Sequence, residues 1–341
     1  MTAAAAQPPA AEPPLRSGGP AAALVERVVA PLAMSCFVGA IALSGLLQAL
    51  AAALIVAAPT SPWGWTLLVL MVALAVSPLR APPAWAAAAI SAACRMAVGY
   101  FPTVLVVEDA AALSGDKPYV IALEPHSALP TAIPAAFGER SVLLPPALRG
   151  RTHGLVSSVC FRFPLVRQLY YWWGFRPITK GTIRRLLAAR RAVVLVPGGV
   201  QECLYMEPSG SEVAFVRSRK GFIRMAMQCG ADVVPVFAFG QSQTYKWLRP
   251  GPPLVPAAAV AALSRKIGMV PLALLGRWGS PVPHRSRMTV VLGAPLRLPR
   301  HESPPDDLVQ AHLDEYIAAL EGIFERHRAA AGHGSTRLRV M

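Results

Sequence analysis

From Val28 to Leu79 the chain carries no Asp, Glu, Lys, Arg or His, a run of 52 residues. One bilayer crossing takes about 20 apolar residues. The run therefore has length for two passes, roughly 34–58 and 64–79, turning at Pro59-Thr60-Ser61-Pro62-Trp63-Gly64. A pair that spans twice and a pair that dips into one leaflet both fit. Core helices of a soluble protein have no need of so long a stretch without an ionisable group. The expectation is a membrane hairpin over 28–80. Arg16 and Arg27 precede it, Arg80 and Arg95 follow it, and its turn is uncharged. The positive-inside tendency then places both ends, and the domain that follows, on the cytosolic side.

Outside the hairpin, 341 residues leave room for one sizeable α/β domain, expected over 81–330. Residues 1–27 are Ala- and Pro-rich and read as a disordered segment without a secretory-signal pattern. Residues 331–341 read as a disordered tail. The five cysteines form no CxxC pair and have no zinc-like spacing with His, so they read as reduced core residues and no metal is expected. Net charge is +15, and eleven Lys or Arg lie between Arg140 and Arg191 with no acid among them. No nucleic-acid motif accompanies this charge. An anionic bilayer surface or the phosphates of coenzyme A are the partners it suits.

Strand and helix patterns alternate through the domain. Residues 84–98 read as an amphipathic or interfacial helix, and Val104–Val107 and Tyr119–Leu123 as strands. Ser141–Leu144 reads as a weak third strand, Pro164–Trp173 and Thr179–Arg191 as helices, and Ala192–Val196 as a buried strand. Phe222, Met225, Ala226 and Cys229 make a helical stripe capped by Gly230. Asp232–Phe239 and Arg287–Leu292 read as strands, and a last helix opens at Pro304-Pro305-Asp306-Asp307. Residues 250–286 read as a Pro-rich loop or a second membrane-contacting surface. Alternation of this kind predicts an α/β fold with a mostly parallel sheet and flanking helices.

Three constellations carry chemistry. Tyr119–Leu123 runs straight into Glu124-Pro125-His126-Ser127. His126 is the side chain suited to take a proton near neutral pH, and Glu124, two residues away on the same strand face, is placed to orient its ring. A second strand ends in Pro197-Gly198-Gly199-Val200-Gln201-Glu202. Its glycines let backbone N–H groups approach an oxyanion, and Glu202 lies beyond the strand's carboxyl end, where such sheets hold ligands. Third, Arg217-Ser218-Arg219-Lys220-Gly221-Phe222 opens a helix and forms a candidate anion site. A bland reading stands beside each: a structural histidine, a tight turn with an exposed Glu, a solvated charge run.

Together these motifs resemble the type 2 diacylglycerol acyltransferases. The hairpin, Tyr100-Phe101-Pro102, the three constellations, Val234–Gly240, Tyr245-Lys246, Val291–Pro295 and the helix Tyr316–His327 follow the family order over roughly 30–328. Other branches carry His-Pro-His-Gly; Glu124 and Ser127 here match the plant and algal form. The resemblance implies a glycerolipid acyltransferase-like α/β domain in an endoplasmic-reticulum membrane protein. Lipid droplets and a plastid envelope are the other locations that the resemblance allows. It implies transfer of an acyl group from acyl-CoA to diacylglycerol, with His126 as the catalytic residue and Glu202 as a required acidic partner; the chemistry makes His126 the general base, and Glu124 or Glu202 its orienter. Pro125, Ser127, Pro197, Gly198, Gly199, Arg219, Lys220, Gly221 and Phe222 are the implied substrate-binding residues. Acyl-CoA is a substrate, so no cofactor is implied; membrane lipids are partners, and a homo-oligomer is left open. The glycerol-phosphate acyltransferases place an Asp five residues after their His, where this chain has Thr131. Monoacylglycerol, wax and isoprenoid alcohols remain alternative acceptors. A non-catalytic lipid-droplet hairpin would have no use for the polar motifs, and a serine hydrolase would need an elbow that Gly240-Gln241-Ser242-Gln243 does not form.

Overall fold

The computed structural model describes residues 24–207 and 211–341. The reading of 1–27 as disordered falls almost wholly outside them. Helix α1 (Ala30–Ala57) and helix α2 (Pro62–Val76) pack together, joined by a short turn at the predicted prolines. Within α1, Val38–Ala57 is long and apolar enough to cross a membrane. Helix α2 has 15 residues, about 22 Å at 1.5 Å per residue, which is short of the ~30 Å hydrocarbon core. Arg167 Nη1 donates to the carbonyls of Leu74 and Ser77, each at 2.9 Å, and Gln168 Nε2 donates to Leu74 O at 2.6 Å. A cation and an amide thus satisfy carbonyls left open at the α2 C-terminus and tie α2 to the domain.

Helix α3 (Ala84–Tyr100) follows and buries Ile90, Ala93, Cys94 and Ala97. The domain then builds a seven-stranded sheet: β1 (Val104–Val107), β2 (Tyr119–Glu124), β3 (Thr152–Val156), β4 (Arg176–Pro177), β5 (Ala192–Leu195), β7 (Asp232–Phe239) and β10 (Thr289–Leu292). Their spatial order is β1-β10-β7-β2-β5-β3-β4. Only the β10–β7 pair is antiparallel; the other five pairings are parallel. The mostly parallel α/β sheet matches the expectation.

Both sheet faces are covered, so the central strands are apolar throughout. Ile121, Leu123, Val194 and Val236 face the layer of α3 and α4 (Val166–Trp172). Val120, Ala122, Val193 and Val233 face α5 (Lys180–Ala188), α7 (Gly221–Cys229) and α9 (Asp306–His327). Each fully buried large side chain in these layers contributes roughly 1.5–3 kcal/mol. Tyr119 pairs with Ala192 on one side and Asp232 on the other, so β2, β5 and β7 start in register and point their carboxyl ends the same way. The four-residue helix α6 (Gly199–Glu202) starts just beyond β5. A second small sheet joins β6 (Ser211–Ala214) to β11 (Arg337–Val340), and a third joins β8 (Lys246–Leu248) to β9 (Ala273–Leu275). Helix α8 (Ala257–Ile267) lies between these last two strands.

Two expectations are corrected. Ser141–Leu144 is not a strand; the strand is Thr152–Val156. Residues 331–341 are not a disordered tail: β11 pairs with β6 in register Arg337↔Ser211 to Val340↔Ala214, and Met341 N donates to Ala214 O at 2.9 Å.

Candidate active site

The carboxyl ends of β2, β5 and β7 bring Glu124, His126, Glu202 and Gln241 to one place. β2 delivers Glu124 into the interior, where it has no exposure to solvent. The chain then turns at Pro125, and Ser127 takes a left-handed backbone conformation with φ of 57°. That reversal puts neighbouring side chains on opposite sides. His126 lines an apolar cavity of about 580 Å³, whereas Ser127 lines a second cavity of about 590 Å³. Gln241 Nε2 donates to Pro125 O at 2.6 Å, and its Oε1 accepts from Ala132 N at 2.8 Å, so one buried amide spans both ends of the His126 loop.

The ring of His126 is held by backbone. Nδ1 lies 2.9 Å from Ser127 O; since a carbonyl only accepts, Nδ1 carries the hydrogen, and in the neutral ring the lone pair falls to Nε2. The Cys203 thiol also donates to Ser127 O at 3.3 Å and lies 3.4 Å from Nδ1. Burial pushes that thiol up to about 12, so it stays protonated at neutral pH. Glu124 makes no hydrogen bond to the ring, contrary to the sequence reading. Its Oε1 accepts from Gly198 N at 3.0 Å.

Glu202 acts on the loop backbone. Its Oε1 accepts the amide of His126 in a short hydrogen bond and the amide of Ser127 at 3.3 Å, while Oε2 accepts from Phe215 N at 3.2 Å. Three N–H donors oppose the upward push that burial exerts on its carboxyl. Glu124 has one such donor, and burial, the charge of Glu202 and a hydrogen bond between the two carboxyls raise it well above the carboxylate range. Its Oε2 is buried and has no hydrogen-bond partner among the described residues. Burial and the neighbouring Glu202 charge therefore favour the protonated form of Glu124. Gly198 is where this pair needs room: a Cβ there would collide with Glu202 Oε2. Arg219 Nη2 donates to Gly198 O at 3.1 Å, and its guanidinium lies 4.8 Å from the Phe215 ring centroid, adding positive charge beside the two acids.

The apolar cavity extends from His126, Cys203 and Thr131 to Ala33, Met34, Val38, Ile41 and Ala42 of α1. A space of this size, walled by hydrocarbon and ending at one imidazole, is a site for an apolar chain with a reactive polar end.

The diacylglycerol acyltransferase family model matches residues 62–340. This chain belongs to the diacylglycerol acyltransferase family. It is 27% identical over 250 residues to diacylglycerol O-acyltransferase 2 of Dictyostelium discoideum, covering 70% of this chain and 73% of that one. It is 27% identical over 265 residues to diacylglycerol O-acyltransferase 2 of Xenopus tropicalis, covering 71% and 69%. It is 29% identical over 257 residues to human diacylglycerol O-acyltransferase 2-like protein 6, covering 70% and 74%. Among solved structures, the 1-acyl-sn-glycerophosphate acyltransferase of Thermotoga maritima is similar at 12% identity with a TM-score of 0.39, over 85% of this chain and 97% of that one.

As a member of this family the chain is an O-acyltransferase. Several residues that its sequence suggested for substrate have other duties. Gly198 N is taken by Glu124 and Gly199 N by Val196 O, so neither amide is free for an oxyanion. Lys220 and Arg224 pair with Asp306 at 2.5 and 2.6 Å, and Phe222 packs on Tyr316 with centroids 5.0 Å apart. Sequence reasoning missed Gln241 and Cys203. The run Gln241-Ser242-Gln243 after a buried strand was the available signal for the first; nothing local distinguishes the second.

Proposed function

We propose that this acyltransferase moves an acyl group from acyl-CoA to the free hydroxyl of diacylglycerol at a membrane surface, with His126 as general base. The observation that carries the reading is the fixed tautomer of His126 at the end of an apolar cavity walled by α1. Nε2 takes the hydroxyl proton as the alcohol oxygen attacks the thioester carbonyl. Collapse of the tetrahedral intermediate breaks the C–S bond, and the leaving thiolate receives the proton from the imidazolium. Glu202 and the protonated Glu124 fix the loop that presents the ring; they are positioning residues. Glu124 and Ser127 in place of the first His and the Gly of the other branches support the plant and algal form.

The length and apolarity of Val38–Ala57, the shorter α2 and the flanking arginines support a hairpin that enters the bilayer and returns, with the domain cytosolic on the endoplasmic reticulum. The test is an assay of the purified full chain in detergent with labelled oleoyl-CoA and diacylglycerol, monoacylglycerol, a long-chain alcohol and an isoprenoid alcohol. Labelled triacylglycerol as the main product supports the reading. A different dominant ester reassigns the acceptor, and no labelled ester with any alcohol overturns the enzyme assignment.

A further inference from the structure

The second cavity, of about 590 Å³, adjoins the first along Ala128 and Tyr245, which line both. Its character is different. Ser127, Ser211, Glu212, Ser242, Gln243, His333 and Thr336 supply polar groups between Met206, Val213, Trp247 and Leu275. Ser127 Oγ lies 3.1 Å from Ser242 Oγ, and Ser242 lies 2.7 and 2.5 Å from the two carboxyl oxygens of Glu212. A hydrogen-bonded chain thus runs from the residue beside His126 to the half-buried Glu212. Ser211 Oγ, behind the same lining, is buried and without a partner among the described residues.

Charge narrows the ligand. Glu202, Glu207 and Glu212 border the cavity, against Lys246 as its lysine; Glu207 is paired with Arg339. Burial raises the Glu212 carboxyl and lowers His333, so both move toward their neutral forms. A phosphate would meet more acid than base there. Uncharged hydroxyls and carbonyls would meet donors and acceptors at every step.

We propose that this second cavity binds an uncharged, oxygen-rich segment of a substrate while the attached hydrocarbon or thioester passes Ala128 and Tyr245 to reach His126. The proposal rests on the acyl-transfer reading above. Two segments have the required chemistry: the glycerol ester end of the acceptor and the pantetheine arm of the donor.

Two measurements test it. In a Cys36→Ala background, Gln243→Cys, at an exposed position on the cavity lining, is labelled with a maleimide and its peptide followed by mass spectrometry, alone and with dioctanoylglycerol, pantetheine or adenosine 3′,5′-bisphosphate. One neutral ligand slows labelling about fivefold or more, the worth of roughly 1 kcal/mol of occupied hydrogen bonding, and the bisphosphate leaves it unchanged. Dioctanoylglycerol protection assigns the acceptor end and pantetheine protection the donor arm. No protection by either neutral ligand, or protection by the bisphosphate alone, overturns the proposal. Glu212→Gln, checked for folding by thermal melting, raises the KM of that same substrate by about fivefold with kcat held within about twofold; unchanged KM for both substrates contradicts it. Protection requires no turnover, so a wild type that makes triacylglycerol without protection sinks this proposal alone. A protected protein that transfers no acyl group sinks the acyltransferase reading instead.

Discussion

Glu202 holds His126 by its amide, through the short hydrogen bond from His126 N to Glu202 Oε1, and leaves the imidazole to the Ser127 carbonyl 2.9 Å from Nδ1. The two acids of the site are thus one step removed from the ring. A carboxylate that touched the ring would stabilise imidazolium directly; this one fixes where the ring stands. The arrangement divides the roles of Glu124 and Glu202, and the division has measurable consequences.

Glu124 is pushed toward its protonated form, and Glu124→Gln is a neutral isostere that keeps the acceptor for Gly198 N. This variant keeps kcat within about threefold and stability within about 1 kcal/mol. Glu202→Gln confronts three backbone N–H donors with an amide that has one oxygen, and it loses about 1–3 kcal/mol of stability. Thermal or denaturant unfolding of the two purified variants checks the contrast; equal losses contradict it.

The raised Glu124 carboxyl sets a pH dependence. Its folded form binds a proton that the unfolded chain releases from about pH 4.3 upward. The stabilisation is therefore complete below that value and fades as pH rises toward the folded pKa. Glu124→Gln does not titrate, so the melting temperature of the variant relative to wild type increases with pH across that window. A difference that stays flat or falls rules out protonated Glu124.

Gly198→Ala places a methyl group against Glu202 Oε2. Forcing the acid pair apart costs about 1–3 kcal/mol of stability and lowers turnover, because the His126 loop shifts with Glu202. Gly199→Ala is the control: its Cβ meets nothing within 4 Å, though its φ of 55° carries the modest strain of a non-glycine residue. Activity and melting curves separate the two; an undisturbed Gly198→Ala enzyme contradicts the packing.

Ala33 and Ala42 contribute α1 side chains to the apolar cavity. Ala42→Phe shortens the space, so kcat/KM falls more for an oleoyl than for an octanoyl donor, by about tenfold in the ratio. A parallel loss with both chain lengths shows that the cavity does not hold the acyl chain.

How much of this was legible varied with the cause of each element. β2, β5 and β7 are apolar along their length and bounded by Pro or Gly, so local pattern identified them nearly to the residue. Thr152–Val156 was missed because it carries His153 and Gly154 in its middle. His153 Nδ1 is satisfied by Gly174 O at 3.1 Å, and Gly154 exists to let the Phe175 ring close in; both are tertiary facts. The tail read as disordered because Arg337 and Arg339 suggest solvent, yet β6 supplies its ladder and Glu207 its ion pair. His126 and Glu202 stood out as strand-end ionisable residues. Their geometry did not, because the ring's partner is a backbone carbonyl and Glu202 grips amides, neither of which leaves a side-chain signature.

The central claim is that Nε2 of His126 takes the proton from the acceptor hydroxyl. The direct measurement is initial-rate transfer of labelled oleate from oleoyl-CoA to diacylglycerol by purified wild type and His126→Ala in detergent, with matching melting curves. Loss of general-base catalysis predicts a fall in kcat of about 10²–10⁴-fold with folding intact. Wild-type turnover by a folded His126→Ala protein would contradict the account.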